Sequence, residues 1–300
     1  MTEGRIDVHQ HLWPRPFIEA LRARDTVPYL RGWTLHTAGE APYELDAAAH
    51  GPSGRIAQDA DCELILLSLS SPLGIEALPP DEAAPLLAAW HDGVLELGRP
   101  FGGWASVTDV DPDLDGLTDH LKNGFAGLQV AATLLATPAA VETLAPTLWR
   151  CEELNRPVLV HPGPVASGVG VDDLPAWWPA VVDYPAQLQA AWWAWHAAGR
   201  ALLPDLRICF AAGGGLSALH HERFTARGGG PFVPDRSVFV DTSSYGRQGI
   251  DHLTRTLGID PIVLGSDRPY AEPVDPQLGE AAWRAITRTN PLRLLEGVNP

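Results

Sequence analysis

No stretch of this 300-residue chain is apolar for long enough to cross a membrane, and its start shows no basic-then-apolar leader pattern. Cysteine is scarce. Cys62, Cys151 and Cys209 are widely spaced and odd in number, which argues against a disulfide framework or a metal knuckle and fits reduced thiols in a cytoplasmic protein. Basic residues are outnumbered, 21 Lys+Arg against 37 Asp+Glu, and a net charge of −16 speaks against nucleic acid or an anionic membrane as partner. There is no Gly-x-Ser-x-Gly elbow and no P-loop, and the run Gly213-Gly214-Gly215 lacks the spacing of a dinucleotide fingerprint. Its plainer uses are a close backbone approach or a tight turn. Internal repeats and low-complexity linkers are absent too. What remains is 45% hydrophobic, ordinary for a globular protein with a large core.

Short aliphatic runs bounded by Gly or Pro recur along the chain, and such runs mark strands buried on both faces. They predict strands over 5–9, 63–70, 101–107, 126–131, 157–161, 206–212, 237–242 and 261–266. Helical stretches fall between them at 81–97, 138–154, 185–203 and 249–257, with Pro146 and Pro185 blurring two of the limits. Eight strands alternating with helices predict a parallel sheet closed into a (β/α)8 TIM barrel, one α/β domain over residues 1–300. Two connections are too long for the plain rhythm, about 13–60 and 163–184. Both are rich in aromatics and are expected at the C-terminal face, as pocket or lid. The tryptophan-rich helix 185–203 suits core packing or a homodimer contact.

The chemistry concentrates at strand ends. The first strand closes on Asp7-Val8-His9-Gln10-His11, and residues i and i+2 share a face, so both imidazoles can reach one ion. His161 follows Val158-Leu159-Val160, and Asp267 follows Ile262-Val263-Leu264-Gly265-Ser266. In a parallel barrel these ends converge, giving three histidines and one carboxylate. That set predicts one divalent ion: zinc by default, with manganese or iron as alternatives.

Several segments resemble the amidohydrolase superfamily, in particular the amidohydrolase-related branch that includes aminocarboxymuconate semialdehyde decarboxylase. They are Asp7-Val8-His9-Gln10-His11, Gly127-Leu128-Gln129-Val130, Leu159-Val160-His161-Pro162, Ile208-Cys209-Phe210-Ala211-Ala212-Gly213, Val240-Asp241-Thr242-Ser243 and Leu264-Gly265-Ser266-Asp267, with the closing Thr289-Asn290-Pro291. The opening is similar to that of sugar-lactone and pyrone-dicarboxylate lactonases as well. The resemblance implies metal ligation by His9, His11, His161 and Asp267. It also implies an acid/base histidine at the end of the sixth strand, where this chain has Ala212, a side chain with no proton to exchange. Asp267 could take over proton transfer, or His220 or His221 could reach back from the following loop. Trp13, Arg31, Trp33, His36 and Arg268 are the candidates for contact with a small substrate, the arginines suiting a carboxylate.

These residues lead to hydrolysis of a C–N or C–O bond by metal-bound hydroxide as the first expectation. Non-oxidative decarboxylation is the alternative. A barrel that binds a ligand without turning it over is a further one, motivated by Ala212.

Overall fold

The computed structural model describes residues 4–165 and 174–297, so residues 166–173 of the second long connection lie outside the described residues. Eight parallel strands form one sheet in sequential order: β1 (Arg5–Gln10), β2 (Cys62–Leu67), β3 (Phe101–Ala105), β4 (Phe125–Ala131), β5 (Val158–His161), β6 (Ile208–Phe210), β7 (Val238–Asp241) and β8 (Ile262–Val263). The sheet closes on itself. Val8 N–H donates to Leu264 O at 2.9 Å, and Asp267 N–H donates to His9 O at 2.9 Å, tying β1 to the end of β8. The (β/α)8 barrel expected from the sequence is what the chain forms.

Two apolar layers hold it. Inside the barrel pack Ile6, Val8, Leu66, Trp104, Leu159, Cys209, Ala211, Phe239 and Val263, with Leu294 of the last helix. Trp104 is fully buried and donates its indole N–H to Val8 O at 2.8 Å, so its one polar atom is satisfied. Outside the strands a larger shell takes in the helices, including Phe17 and Leu21 of Arg15–Arg22 and Leu86, Trp90 and Val94 of Pro80–Leu97. The helices at Pro52, Pro80 and Pro138 begin on proline, whose missing N–H costs nothing in a first turn. Pro146 lies inside Pro138–Glu153, and the helix continues through it. Burial of Val141, Leu148 and Cys151 against the barrel offsets the cost of about 3 kcal/mol of an interior proline.

The first long connection carries structure that no sequence period announced: a three-stranded antiparallel sheet of Tyr29–Arg31, Thr34–His36 and Tyr43–Glu44. It docks on the second connection. A Cβ added to Gly39 would lie 2.1 Å from Val165 O, so only glycine permits this approach. Next to it Tyr184 Oη donates to Glu40 Oε1 at 2.6 Å. The helix Tyr184–Ala194 that follows buries Trp192 within the same chain, as Trp195 is buried just beyond it, and Trp193 stacks on Phe224. These indoles therefore serve the chain's own core. The three thiols are unpaired. No helix among the described residues is long and apolar enough to cross a membrane.

Candidate metal centre

The end of β1 breaks the strand alternation. Ile6 and Val8 point into the barrel, yet His9 and His11 also converge on its axis. The pairing of β1 with β2 is irregular between Asp7 and Gln10, which allows the switch of face. His161, the last residue of β5, completes the cluster. Ligand nitrogens of the three histidines lie within 4.8 Å of one another, and ring centroids stand 4.9 to 5.2 Å apart, each pair edge to face. All three are buried.

Each ring is held from behind. His11 Nδ1 donates to Ser68 O at 3.0 Å, and His161 Nδ1 to Pro162 O at 2.9 Å. A carbonyl only accepts, so both rings carry their proton on Nδ1 and leave Nε2 bare toward the centre. His9 Nδ1 meets the fully buried Asp241 carboxylate at 2.7 Å. His9 Nε2 and His11 Nε2 then stand 3.1 Å apart, and Asp267 Oδ1 lies 3.2 Å from His11 Nε2 and 3.6 Å from His9 Nε2. Burial disfavours charge on His9, but Asp241 outweighs it and lifts this ring to about 9. Burial and the neighbouring rings depress His161, and burial depresses His11. Asp267 is held down at about 2, because His11 and the other imidazoles overcome its desolvation. The bare Nε2 atoms of His11 and His161, the Nε2 of His9 and the Asp267 carboxylate face one point, and this donor set fits a divalent cation.

Asp267 takes a left-handed backbone conformation, φ +61°, between the end of β8 and Tyr270, and Ser244 Oγ donates to its Oδ2 at 3.2 Å. Tyr270 sits edge-on to His11 at 5.3 Å. After β6 the chain runs left-handed from Ala212 to Leu216, three glycines making the run feasible. This is a tight turn. Ala212 N–H donates to Ser243 Oγ at 2.9 Å, and Ser243 in turn donates to Asp241, so the turn is fastened to the support of His9.

Apart from His220, the side chains of the other sequence candidates are engaged by other groups of the protein. His220 is exposed, and His221 faces Ala218 O at 3.2 Å and Phe232. The loop therefore does not return either imidazole to the centre. Trp13 is core, its indole donating to Ser70 Oγ at 3.3 Å and its ring packed on Phe17 and His50. Trp33 stacks on His50 and receives Arg22 on its face. His36 stacks on Tyr29 at 4.5 Å. Arg31 is engaged by Asp25 at 2.7 Å and lies over Tyr29. Arg268 bridges Asp59 and Glu272, although its carbonyl accepts His11 N–H at 2.6 Å. Both guanidiniums are thus committed to carboxylates of the protein itself.

Sequence reasoning missed Asp241, Ser68, Tyr270 and the Glu40–Tyr184 pair. Asp241 ends an apolar strand much as His161 does, and the same signal would have found it. Ser68 acts through its carbonyl, which no side-chain pattern reveals. Asp241→Asn is expected to weaken Mn²⁺ binding by about 10- to 100-fold in a calorimetric titration, the usual weight of a carboxylate that holds a metal-binding histidine from behind. An unchanged affinity would remove Asp241 from the centre.

No protein-family model matches the chain. A curated relative, 2-amino-3-carboxymuconate-6-semialdehyde decarboxylase of Dictyostelium discoideum, is 28% identical over 194 residues. That match takes in 59% of this chain and 53% of the relative, so the chain spans about half the length of that protein. Among solved structures, IDCase of Metarhizium anisopliae superposes with a TM-score of 0.75 at 18% identity, covering 98% of this chain and 97% of the other. A 5-carboxyvanillate decarboxylase of Novosphingobium aromaticivorans, solved with manganese and a nitrobenzoic acid, gives 0.73 at 18% identity, covering 98% and 96%. The 2,6-dihydroxybenzoate decarboxylase of Rhizobium gives 0.69 at 19%, covering 98% and 99%. These relatives are named as decarboxylases, which corrects the expectation of hydrolysis. That expectation rested on a metal plus Asp267 being sufficient for hydrolysis, but the set does not by itself select the bond that breaks. Manganese in that neighbour likewise leaves zinc without specific support, while the cluster of His9, His11 and His161 fits a divalent ion. In sequence and fold the chain is similar to decarboxylases of this kind, and the resemblance to the amidohydrolase superfamily read from its motifs is borne out.

Proposed function

We propose that this chain is a metal-dependent, non-oxidative decarboxylase of a small aromatic or enoic acid. The observation that carries the proposal is the convergence of His9, His11, His161 and Asp267 at one end of a barrel similar to those of named decarboxylases. A divalent ion held by these four would polarise the substrate oxygens beside the bond to be broken. Asp241, Ser68 and Pro162 orient the three rings so that their Nε2 atoms face that point. Burial of the histidines keeps water away from the developing charge.

In the reaction the C–C bond to the carboxylate breaks, carbon dioxide leaves, and the electron pair stays on carbon, which must then gain a proton. Ala212 cannot supply it, and His220 and His221 lie elsewhere. Asp267 is the titratable carboxylate beside the ligand nitrogens, with Oδ2 steadied by Ser244. Held ionised at neutral pH, it first accepts a proton from the substrate or from water and then passes it to carbon. The docking of Glu40 on Tyr184 brings the two long connections together, and Tyr270 lies edge-on to His11.

The test is release of labelled carbon dioxide from carboxyl-labelled 2,6-dihydroxybenzoate, 5-carboxyvanillate and an aminocarboxymuconate in the presence of Mn²⁺. Release from any of them is expected. Saturable binding without release from every acid tried would favour the ligand-binding barrel that Ala212 first suggested.

A further inference from the structure

Between β2 and β4 lies a chain of buried polar groups that the reaction does not use. Gln129, on β4 and 1% exposed, donates its amide to Leu69 O and, at 2.7 Å, to Ser71 Oγ, while its carbonyl accepts the Ser68 hydroxyl. Ser71 Oγ donates to Glu76 Oε1 at 2.6 Å, and Ser106 Oγ donates to the same oxygen at 3.2 Å. Ser106 N–H ends the chain on His91 Nε2 at 3.1 Å. The residues gripped in this way, Ser68 to Ser71, form the turn that holds His11. Ser68 O accepts from His11 Nδ1, and Ser70 Oγ lies 3.1 Å from the same nitrogen.

The directions of these bonds are forced. Glu76 Oε1 accepts, so the Ser71 hydroxyl turns toward it and leaves a lone pair for the Gln129 amide. Gln129 then has only its carbonyl to offer Ser68. The turn is fixed at Ser68, Leu69 and Ser71, with the Ser68 carbonyl aimed at His11. Burial pushes the Glu76 carboxyl up to about 7, and Oε1 still accepts both serines when the proton sits on the other oxygen. We infer that Gln129 and Glu76 are positioning residues that fix the ring orientation and tautomer of His11 by clamping the turn 68–71. The inference concerns how His11 is held and not the reaction assigned to the site; only its effect on Mn²⁺ binding rests on His11 being a ligand.

Long-range proton–nitrogen NMR of the metal-free protein reads the tautomer directly, with the His11 signals identified by their loss in His11→Gln. Wild type is expected to show one tautomer, protonated on Nδ1. Gln129→Leu and Glu76→Ala are expected to give a mixture and to weaken Mn²⁺ binding about 10-fold or more. Glu76→Gln, which keeps an accepting oxygen, should restore both. Should Gln129→Leu fail to fold, Ser71→Ala breaks the Gln129–Ser71–Glu76 connection with little change in volume. Folded variants that keep the wild-type tautomer would overturn the inference. Absence of Mn²⁺ binding in wild type would overturn the metal reading instead, and the tautomer measurement would still decide this one.

Discussion

Asp267→Asn is expected to lower kcat on a decarboxylation substrate by about 100- to 10,000-fold, the range over which positioned proton carriers act. The substitution is sterically mild. Asparagine fills the same volume and is among the residues that best tolerate the left-handed backbone at this position, φ +61°. What it removes is the ability to accept and return a proton, along with a negative charge beside His9 and His11. The three imidazoles remain, so Mn²⁺ affinity should fall much less than kcat. Comparing kcat with the Mn²⁺ dissociation constant, measured on the same preparation, separates the two roles. A folded variant with unchanged kcat would remove Asp267 from the chemistry and leave it a ligand only.

Trp104→Ala is expected to have the largest effect on the fold, costing about 3–5 kcal/mol. The indole is fully buried in the cluster that fills the barrel, with Ile6, Val8, Leu66, Leu159 and Phe239 from other strands. Its N–H also satisfies Val8 O, one residue before His9, so the loss should loosen the first ligand strand. Chemical denaturation with circular dichroism tests this. The midpoint should fall sharply, and Trp104→Phe should recover most but not all of the loss. A cost no larger than that of a surface substitution would contradict the barrel interior described here.

Much of this architecture can be read from the chain because the barrel rewards a simple pattern. Eight aliphatic runs stand where the eight strands are, for they are buried on both sides and need no alternation. That His9, His11, His161 and Asp267 come together is legible because each stands at the end of such a run, and parallel strands bring their ends together. The pocket residues are not. Whether Trp13, Arg31, Trp33 and His36 face the histidines depends on how the first long connection folds. That is set by contacts such as Gly39 with Val165 and Glu40 with Tyr184, more than a hundred residues apart in sequence. The arginines looked available because sequence does not show that Asp25, Asp59 and Glu272 claim them. Hydrolysis and decarboxylation share one metal set, so the motif alone could not choose between them. The choice turns on where the proton goes, and Ala212 shows only where it does not come from.

The central claim is that these histidines hold a divalent ion. Metal content by plasma mass spectrometry tests it most directly, on protein purified without added metal or chelator and alongside His9→Ala/His11→Ala. The expected result is about one equivalent of a divalent metal in wild type and none in the double variant. Wild type that stays empty after reconstitution with manganese and zinc, or a double variant that binds equally well, would contradict it.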